Sequence, residues 1–150
     1  MAPVGQRPLL INWNESFLTG IEIIDEQHRG IVSIINSLHF AQPRPNACFL
    51  QPATEMIMGY TQIHFATEIM LLKEAEYPRL RDQLRQHDHL IAESDRLAKA
   101  CLEEGEDPGD YLDFLKEWWQ VHIIHEDMAF SEFMRDYFMS PRRVIIKRQS

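Results

Sequence analysis

Residues 21–38, IEIIDEQHRGIVSIINSL, contain an apolar stripe that decides the secondary structure of this part of the chain. Positions at intervals of three and four residues are occupied by Ile21, Ile24, His28, Ile31, Ile35 and Leu38. This spacing places them on one face of an α-helix, which then packs against other elements. One member of the stripe is a histidine, so the pattern also predicts an imidazole in the core.

Three further segments of the 150-residue chain have a helical pattern and end at breaks rich in proline or glycine. Helices are predicted at about residues 20–41, 48–75, 79–103 and 109–139, because proline and glycine interrupt the chain between these ranges. Residues 1–18 are predicted to form an extended arm, and residues 140–150 a basic tail or the start of a linker. Long helices with short connections favour an all-α fold, an antiparallel up-down-up-down four-helix bundle formed by residues 1–139.

Composition excludes several classes of function. The formal net charge of -8 argues against general nucleic-acid binding, which needs a basic surface. Cys48 and Cys101 form no closely spaced pair, which favours a reducing compartment over a disulfide framework. The sequence shows neither a signal peptide nor an apolar segment long enough to span a bilayer, so we expect a cytoplasmic protein with no membrane insertion.

Six polar residues fall on the core faces of the predicted helices. They are His28, His64, Glu68, His87, His122 and Asp127. A single imidazole on an apolar face is more often a hydrogen-bonded core residue than a ligand. Four inward histidines, one on each helix, together with two carboxylates would cost several kcal/mol each if they were left unpaired. A bound cation removes that cost, and the sequence therefore favours a metal site inside the bundle.

The ligand set limits the choice of metal. Imidazole nitrogen with carboxylate oxygen suits iron, and also zinc or manganese. Six ligands are too many for one tetrahedral zinc, whereas two metals bridged by Glu68 and Asp127 would use them all. In an α-helix His122 and Asp127 are separated by about 140°, so they could both point inward only from opposite flanks. The Glu-x-x-His signature of the common di-iron carboxylate bundles is absent from the sequence.

Several motifs in a fixed order resemble those of the bacterial hemerythrins, from Trp13 to about Tyr137. The entry motif ends at His28, HFATE supplies His64 and Glu68, YP follows at residues 77–78, and WWQVHIIHED supplies His122 and Asp127. The resemblance implies a non-haem, oxo- or hydroxo-bridged di-iron centre that binds O2 reversibly. It also implies that His28 and His64 serve the O2-binding iron, and that His87 and His122 serve its partner.

One position departs from the family pattern. The family has His-x-x-x-His on the third helix, and here the first position is Gln83. Two interpretations remain open: Gln83 coordinates weakly through its carbonyl oxygen, or its amide holds a water or hydroxide on the metal. The second is preferred, because an amide oxygen is a poor ligand for this iron. A water or hydroxide in that position would be exchangeable, so that O2, peroxide or small anions could reach either iron.

The resemblance also bears on the surroundings and on function. Trp118 and Ile123 would line the apolar pocket around O2, although each could equally be a core residue, and Trp119 would narrow that pocket or pack between helices. Three functions remain as hypotheses. The first is an O2 or redox sensor, such as the input domain of a diguanylate cyclase or chemotaxis receptor. The second is a stand-alone O2 carrier or scavenger. The third is an enzyme that acts on peroxide or nitric oxide. Loss of one histidine favours the first and third, and the expectation is a non-catalytic sensor.

Overall fold

The computed structural model describes residues 8–42, 50–105 and 107–139, and these residues form a helical bundle. Helix α1 spans Glu22–Ala41, α2 spans Leu50–Glu74 and α3 spans Leu80–Glu103. The fourth helix begins with α4, Gly109–Trp118, and ends with α5, Met128–Phe138. Each helix packs on the next one in the chain, and α4 also packs on α1, which closes the bundle. The predicted all-α four-helix fold is confirmed.

The fourth helix differs from the single α-helix predicted over residues 109–139. Between α4 and α5 the chain forms a π-helical segment, Trp119–Asp127. A π-helix joins residue i to residue i+5, so its turn contains about one more residue than an α-helical turn. The segment therefore changes which side chains share a face. The predicted tail, residues 140–150, and Cys48 lie outside the described residues.

A buried carboxylate fixes the start of α1. Asp25 Oδ1 accepts hydrogen bonds from the backbone nitrogen and the hydroxyl of Thr19, at 2.7 and 2.8 Å, and Oδ2 accepts one from the Gly20 nitrogen at 3.2 Å. Gly20 has a φ of +83°, a backbone conformation that residues other than glycine rarely adopt. This sharp turn joins the arm to the helix. Because Asp25 lies one turn before His28, the same hydrogen bonds fix where His28 enters the core.

The N-terminal arm is attached to the bundle along α1 and through aromatic contacts. The backbone of Ile11 exchanges two hydrogen bonds with the side-chain amide of Asn36, at 2.9 and 2.8 Å. A short 3₁₀ turn, Glu15–Phe17, follows and is capped by the Asn14 side chain. The rings of Trp13 and Phe17 lie 6.0 and 5.4 Å from that of Trp119. The arm therefore covers the π-helical segment from outside.

The apolar core is divided by a layer of polar side chains. The larger part contains Ile31, Phe65 and Ile123, and the smaller part contains Leu72 and Phe130. Glu68 lies between Phe65 and Leu72 along α2, and Asp127 lies between Ile123 and Phe130 along the fourth helix. Among the described residues, no helix is long and apolar enough to cross a membrane.

Candidate metal centre

The polar layer contains all six residues that the sequence singles out as metal ligands. His28, His64, Glu68 and Asp127 are fully buried, and His87 and His122 are 3 % and 1 % exposed. Helices α1, α2 and α3 supply His28, His64 with Glu68, and His87, in that order. The π-helical segment supplies His122 and Asp127. Every helix of the bundle therefore contributes at least one side chain to this layer.

The six residues divide into two groups that share a carboxylate. The first group is His28, His64, Glu68 and Asp127, and the second is Glu68, His87 and His122. Within each group, one nitrogen or oxygen atom from every residue lies within 4.8 Å of the others. Because Glu68 belongs to both groups, the two candidate positions are adjacent.

The two oxygens of Glu68 face different groups. Oε1 lies 2.8 Å from His64 Nε2, whereas Oε2 lies 2.8 Å from His87 Nε2 and 3.8 Å from His122 Nε2. A carboxylate that bridges two metal ions is expected to direct one oxygen toward each ion, and the two oxygens of Glu68 are placed in this way.

The two oxygens of Asp127 also face different groups of histidines. Its Oδ2 lies 2.8 Å from His28 Nε2 and 3.3 Å from His64 Nε2, and its Oδ1 lies 3.5 Å from His122 Nε2. The π-helical segment makes this possible, since five residues, the separation of His122 and Asp127, are about one turn of a π-helix. His122 and Asp127 therefore share one inward face, whereas an α-helix would place them on opposite flanks of that face.

The ligand atoms of the layer lie close together but make few well-aligned hydrogen bonds. Among the described residues, both oxygens of Glu68, Oδ1 of Asp127 and Nε2 of His87 and His122 are buried and make no hydrogen bond of good geometry, although Glu68 Oε2 and His87 Nε2 lie only 2.8 Å apart. Leaving such groups unpaired costs about 1–3 kcal/mol each, more when they are charged. Cations between the two carboxylates would satisfy them, and a set of four imidazoles and two carboxylates fits iron. The residues present therefore fit a two-iron centre.

Electrostatics within the layer are dominated by burial and by the two carboxylates. Burial alone lowers the pKa of His64, but the charges of Glu68 and Asp127 and their contacts with the ring outweigh it and raise the pKa to about 10. The pKa of His122 is likewise raised against burial by Asp127, Glu126 and Glu68. Burial raises the pKa of Asp127, yet its histidine neighbours hold it well below the usual range. In the metal-free protein, protons thus partly take the place of cations.

Two residues behind the imidazoles are not predicted from the sequence. His64 Nδ1 lies 3.0 Å from Oε1 of Gln27, whose amide nitrogen donates to the Thr67 hydroxyl at 2.9 Å. His122 Nδ1 donates to Glu126 Oε2 at 2.7 Å. Both contacts direct the Nε2 atom of the ring toward the carboxylates, as is usual for ligating histidines. Their positions in the sequence are the signal that could point to them, since Gln27 directly precedes His28 and Glu126 follows His122 by four residues.

Helix α3 also supports this arrangement of His122. With its amide nitrogen turned toward Glu126, Gln86 of α3 donates to both oxygens of that carboxylate, at 3.1 and 2.8 Å. Gln86 thereby holds Glu126 in place behind the imidazole.

Aromatic rings surround the layer. His87 stacks on Phe65 with ring centres 3.7 Å apart, and Trp118 stacks on His122 at 6.0 Å. Trp119 meets His28 edge to face at 5.6 Å, so Trp119 rather than Trp118 lies beside the first group. Ile123 is 1 % exposed and belongs to the larger apolar cluster. The pocket roles of Trp118 and Ile123 stay predictions.

Gln83 is buried on α3, one turn before His87 and on the same face. Its Nε2 atom has no hydrogen-bond partner among the described residues. The remaining histidines are placed differently: His89 and His125 are exposed, and His39 is half-buried at the end of α1. Gln83 is therefore buried on the same face of α3 as His87, while these other histidines lie outside the polar layer.

Comparison with known proteins decides the family. The Hemerythrin HHE cation binding domain family matches residues 19–133. The chain belongs to the hemerythrin family. This hemerythrin domain is 34 % identical to a bacteriohemerythrin of Stenotrophomonas maltophilia over 126 residues, which are 82 % of this chain and 80 % of the relative. It is 33 % identical to a bacteriohemerythrin of Pseudomonas aeruginosa, with the same shares covered.

The fold of the hemerythrin domain also matches a solved structure. A crystal structure of a hemerythrin variant superposes with a TM-score of 0.78 at 21 % identity, covering 85 % of this chain and 98 % of that one. At this identity the likeness concerns the fold alone. The predicted family resemblance is confirmed, while the individual ligand roles remain predictions.

The hydrogen bond from His122 to Glu126 generates a first prediction. Replacing Glu126→Ala should lower divalent-metal affinity by about 10- to 100-fold, because an outer carboxylate orients a ligating imidazole and raises its basicity. Competition titration with Fe²⁺ or Co²⁺ measures the affinity. Glu132→Ala, which removes an exposed glutamate of α5, is the matched control. Equal affinities of the Glu126→Ala variant and the original chain would contradict the role assigned to Glu126.

The raised pKa of His64 generates a second prediction, for the metal-free protein. A folded pKa of about 10 against an ordinary 6.5 contributes stability that is complete below pH 6.5 and lost as pH rises through about 10. The lowered pKa of Asp127 contributes stability above its ordinary 3.8, which is lost as pH falls. The free energy of unfolding in urea should therefore be highest between about pH 4 and 6.5. An alkaline decline that is as steep in His64→Gln would contradict the assignment to His64.

Proposed function

We propose that this hemerythrin domain holds two iron ions, binds O2 and acts as an O2 and redox sensor. The division of both carboxylates between two groups of histidines is the observation that carries the proposal. Two iron ions bound there would supply reversible O2 binding and one-electron redox chemistry. His28 and His64 would hold one ion, His87 and His122 the other, and Glu68 and Asp127 would contact both.

The protein surrounding the centre would exclude bulk water on one side. Trp119 covers His28, and the rings of Trp13 and Phe17 cover Trp119 in turn. Apolar surroundings of this kind favour a neutral ligand such as O2 over water and slow the loss of charged species. The His28 and His64 side is therefore suited to O2.

The other side of the centre is closer to solvent. A groove of about 480 Å³ between α2 and α3 is lined by Phe65, Met70 and His87. A second groove of about 520 Å³, between α3 and the fourth helix, reaches Trp118, His122 and Glu126. The first groove reaches His87 and the second reaches His122, the two histidines on the same side of the centre as Gln83. Small ligands would approach the centre through the second groove, which no residue of α2 lines.

Gln83 supports sensing over storage. An amide N–H without a partner can donate a hydrogen bond to a water, hydroxide or anion, which the imidazole of a five-histidine site would exclude. We infer that the iron held by His87 and His122 exchanges its sixth ligand. The reduced centre would therefore be oxidised in air faster than the centre of an O2 carrier. A partner protein or fused output domain would then read the oxidation state. Peroxide or nitric oxide chemistry remains the second candidate, since it would use the same position.

Metal content tests the centre. Purified protein reconstituted with Fe²⁺ should contain about two irons per chain and change its visible absorption reversibly between dithionite and air. Glu68→Gln and Asp127→Asn should each lower the content, because a bridging carboxylate contacts both ions. The matched control is Glu132→Gln on the surface. A folded, reconstituted chain that binds no stoichiometric transition metal would remove the proposal.

The role of Gln83 is tested by restoring the family residue. Gln83→His should lengthen the half-life of the reduced iron protein in air by about tenfold or more, since a further imidazole closes the exchangeable position. Azide titration should show weaker binding in the same variant. Asp82→His adds a histidine to the exposed face of α3 and is the control. Equal half-lives for the original chain and Gln83→His would count against the sensor proposal and in favour of a carrier.

A further inference from the structure

Helix α2 has an apolar stripe on its outer face in addition to the face that enters the core. Met56, Ile63 and Met70 are 57, 60 and 62 % exposed, although each has a large apolar side chain. Two small residues, Gly59 and Ala66, lie exposed between them. The buried face of the same helix, which includes Ile57 and His64, lies on the opposite side. Contiguous exposed apolar surface of this kind marks a site of association.

The spacing of the stripe is that of a coiled-coil seam. From Met56 the steps are three, four, three and four residues, to Gly59, Ile63, Ala66 and Met70. A repeat that averages 3.5 residues keeps one face of a helix against a partner helix over its whole length. The spacing of the stripe therefore favours a helix as its binding partner over an irregular surface.

We propose that a second copy of this chain covers the stripe, with the two α2 helices antiparallel about a two-fold axis. Large and small residues alternate along the seam, and an antiparallel pairing sets large against small. When Ile63 lies opposite the partner's Ala66, Met70 lies opposite the partner's Gly59. The same pairs recur on the other side of the axis, as a two-fold interface requires.

Charge complementarity supports a second copy over an unrelated helix. Glu55 and Lys73 are both exposed and lie eighteen residues apart, which is about five turns, so they project on the same side of the seam. In the pairing just described, Met56 lies level with the partner's Lys73, and Glu55 is its neighbour in sequence. Two Glu55–Lys73 ion pairs would therefore form between the copies, one at each end of the interface.

Gly59 makes close approach of the two helices possible. A Cβ atom added at this position would meet no atom of the described chain within 4 Å, so the surface there is open. A seam from Met56 to Lys73 is about 26 Å long. A helix pair of this length buries on the order of 1,000 Å² in total, which is near the lower limit for specific interfaces. We expect a reversible dimer with a dissociation constant on the order of micromolar.

Sedimentation equilibrium of the full chain, over about 1 to 500 µM, tests the proposal. The expected result is a monomer–dimer equilibrium. Gly59→Leu should raise the dissociation constant at least about a hundredfold, because a large side chain would meet the partner's Met70. Ile63→Glu should do the same by placing a charge in the seam. Leu102→Glu changes an exposed apolar residue of α3 and should leave the dimer intact.

The Gly59→Leu variant separates specific pairing from general stickiness. It adds apolar surface, so non-specific association would increase, whereas close pairing of the helices predicts dissociation. Circular dichroism should show unchanged helix content, since the space at Gly59 is open. A chain that is monomeric at all concentrations, or a Gly59→Leu variant that associates more strongly, would overturn the proposal.

Charge exchange tests the register. Lys73→Glu and Glu55→Lys should each raise the dissociation constant by about three- to tenfold, because each places like charges at both ends of the seam. The double variant should restore the original value. If the double variant is weaker than both single variants, the antiparallel register is wrong and the proposal fails.

Discussion

Two buried carboxylates that face a cluster of imidazoles are the constraint on which this structure depends. Glu68 and Asp127 are fully buried, and four imidazoles surround them in a layer from which the apolar core excludes water. Neutral packing cannot stabilise such a layer, because each ionised group loses its hydration on burial. Positive charge must balance it. Protonated histidines supply part of that charge in the metal-free chain, and cations supply it in the proposed functional state.

The bundle meets this constraint by fixing each ring through contacts outside the layer. Asp25 fixes the start of α1 and with it His28, Gln27 orients His64, and Glu126 orients His122. The π-helical segment then brings Asp127 onto the same face as His122. Each contact restricts the orientation of a ligand side chain, so less conformational entropy would be lost on metal binding. Contacts outside the layer thus help to order the site.

Residue spacing predicts the helices, the fold class and the six candidate ligands, because a 3.6-residue period places His64 and Glu68 on one face regardless of the rest of the chain. Other features depend on contacts between segments distant in sequence. The π-helical turn at Trp119 is one, since nothing in its local composition separates it from an α-helix. The pairing of Gln86 with Glu126 is another, because it joins α3 to the fourth helix. The placement of Trp119 against His28 likewise depends on how the helices pack.

Gln83 and Glu126, both on the His87 and His122 side, act in opposite directions under the proposed function. Gln83 would supply an amide in place of an imidazole, which leaves that ion without one strong nitrogen donor and favours exchange of its ligands. Glu126, held by Gln86, accepts the Nδ1 proton of His122 and makes the remaining ring a stronger donor. A more basic ligand stabilises the oxidised metal. Under that proposal the chain would combine an exchangeable position with a strengthened ligand on the same side, a combination that suits a centre whose oxidation state changes readily and is then retained long enough to be read.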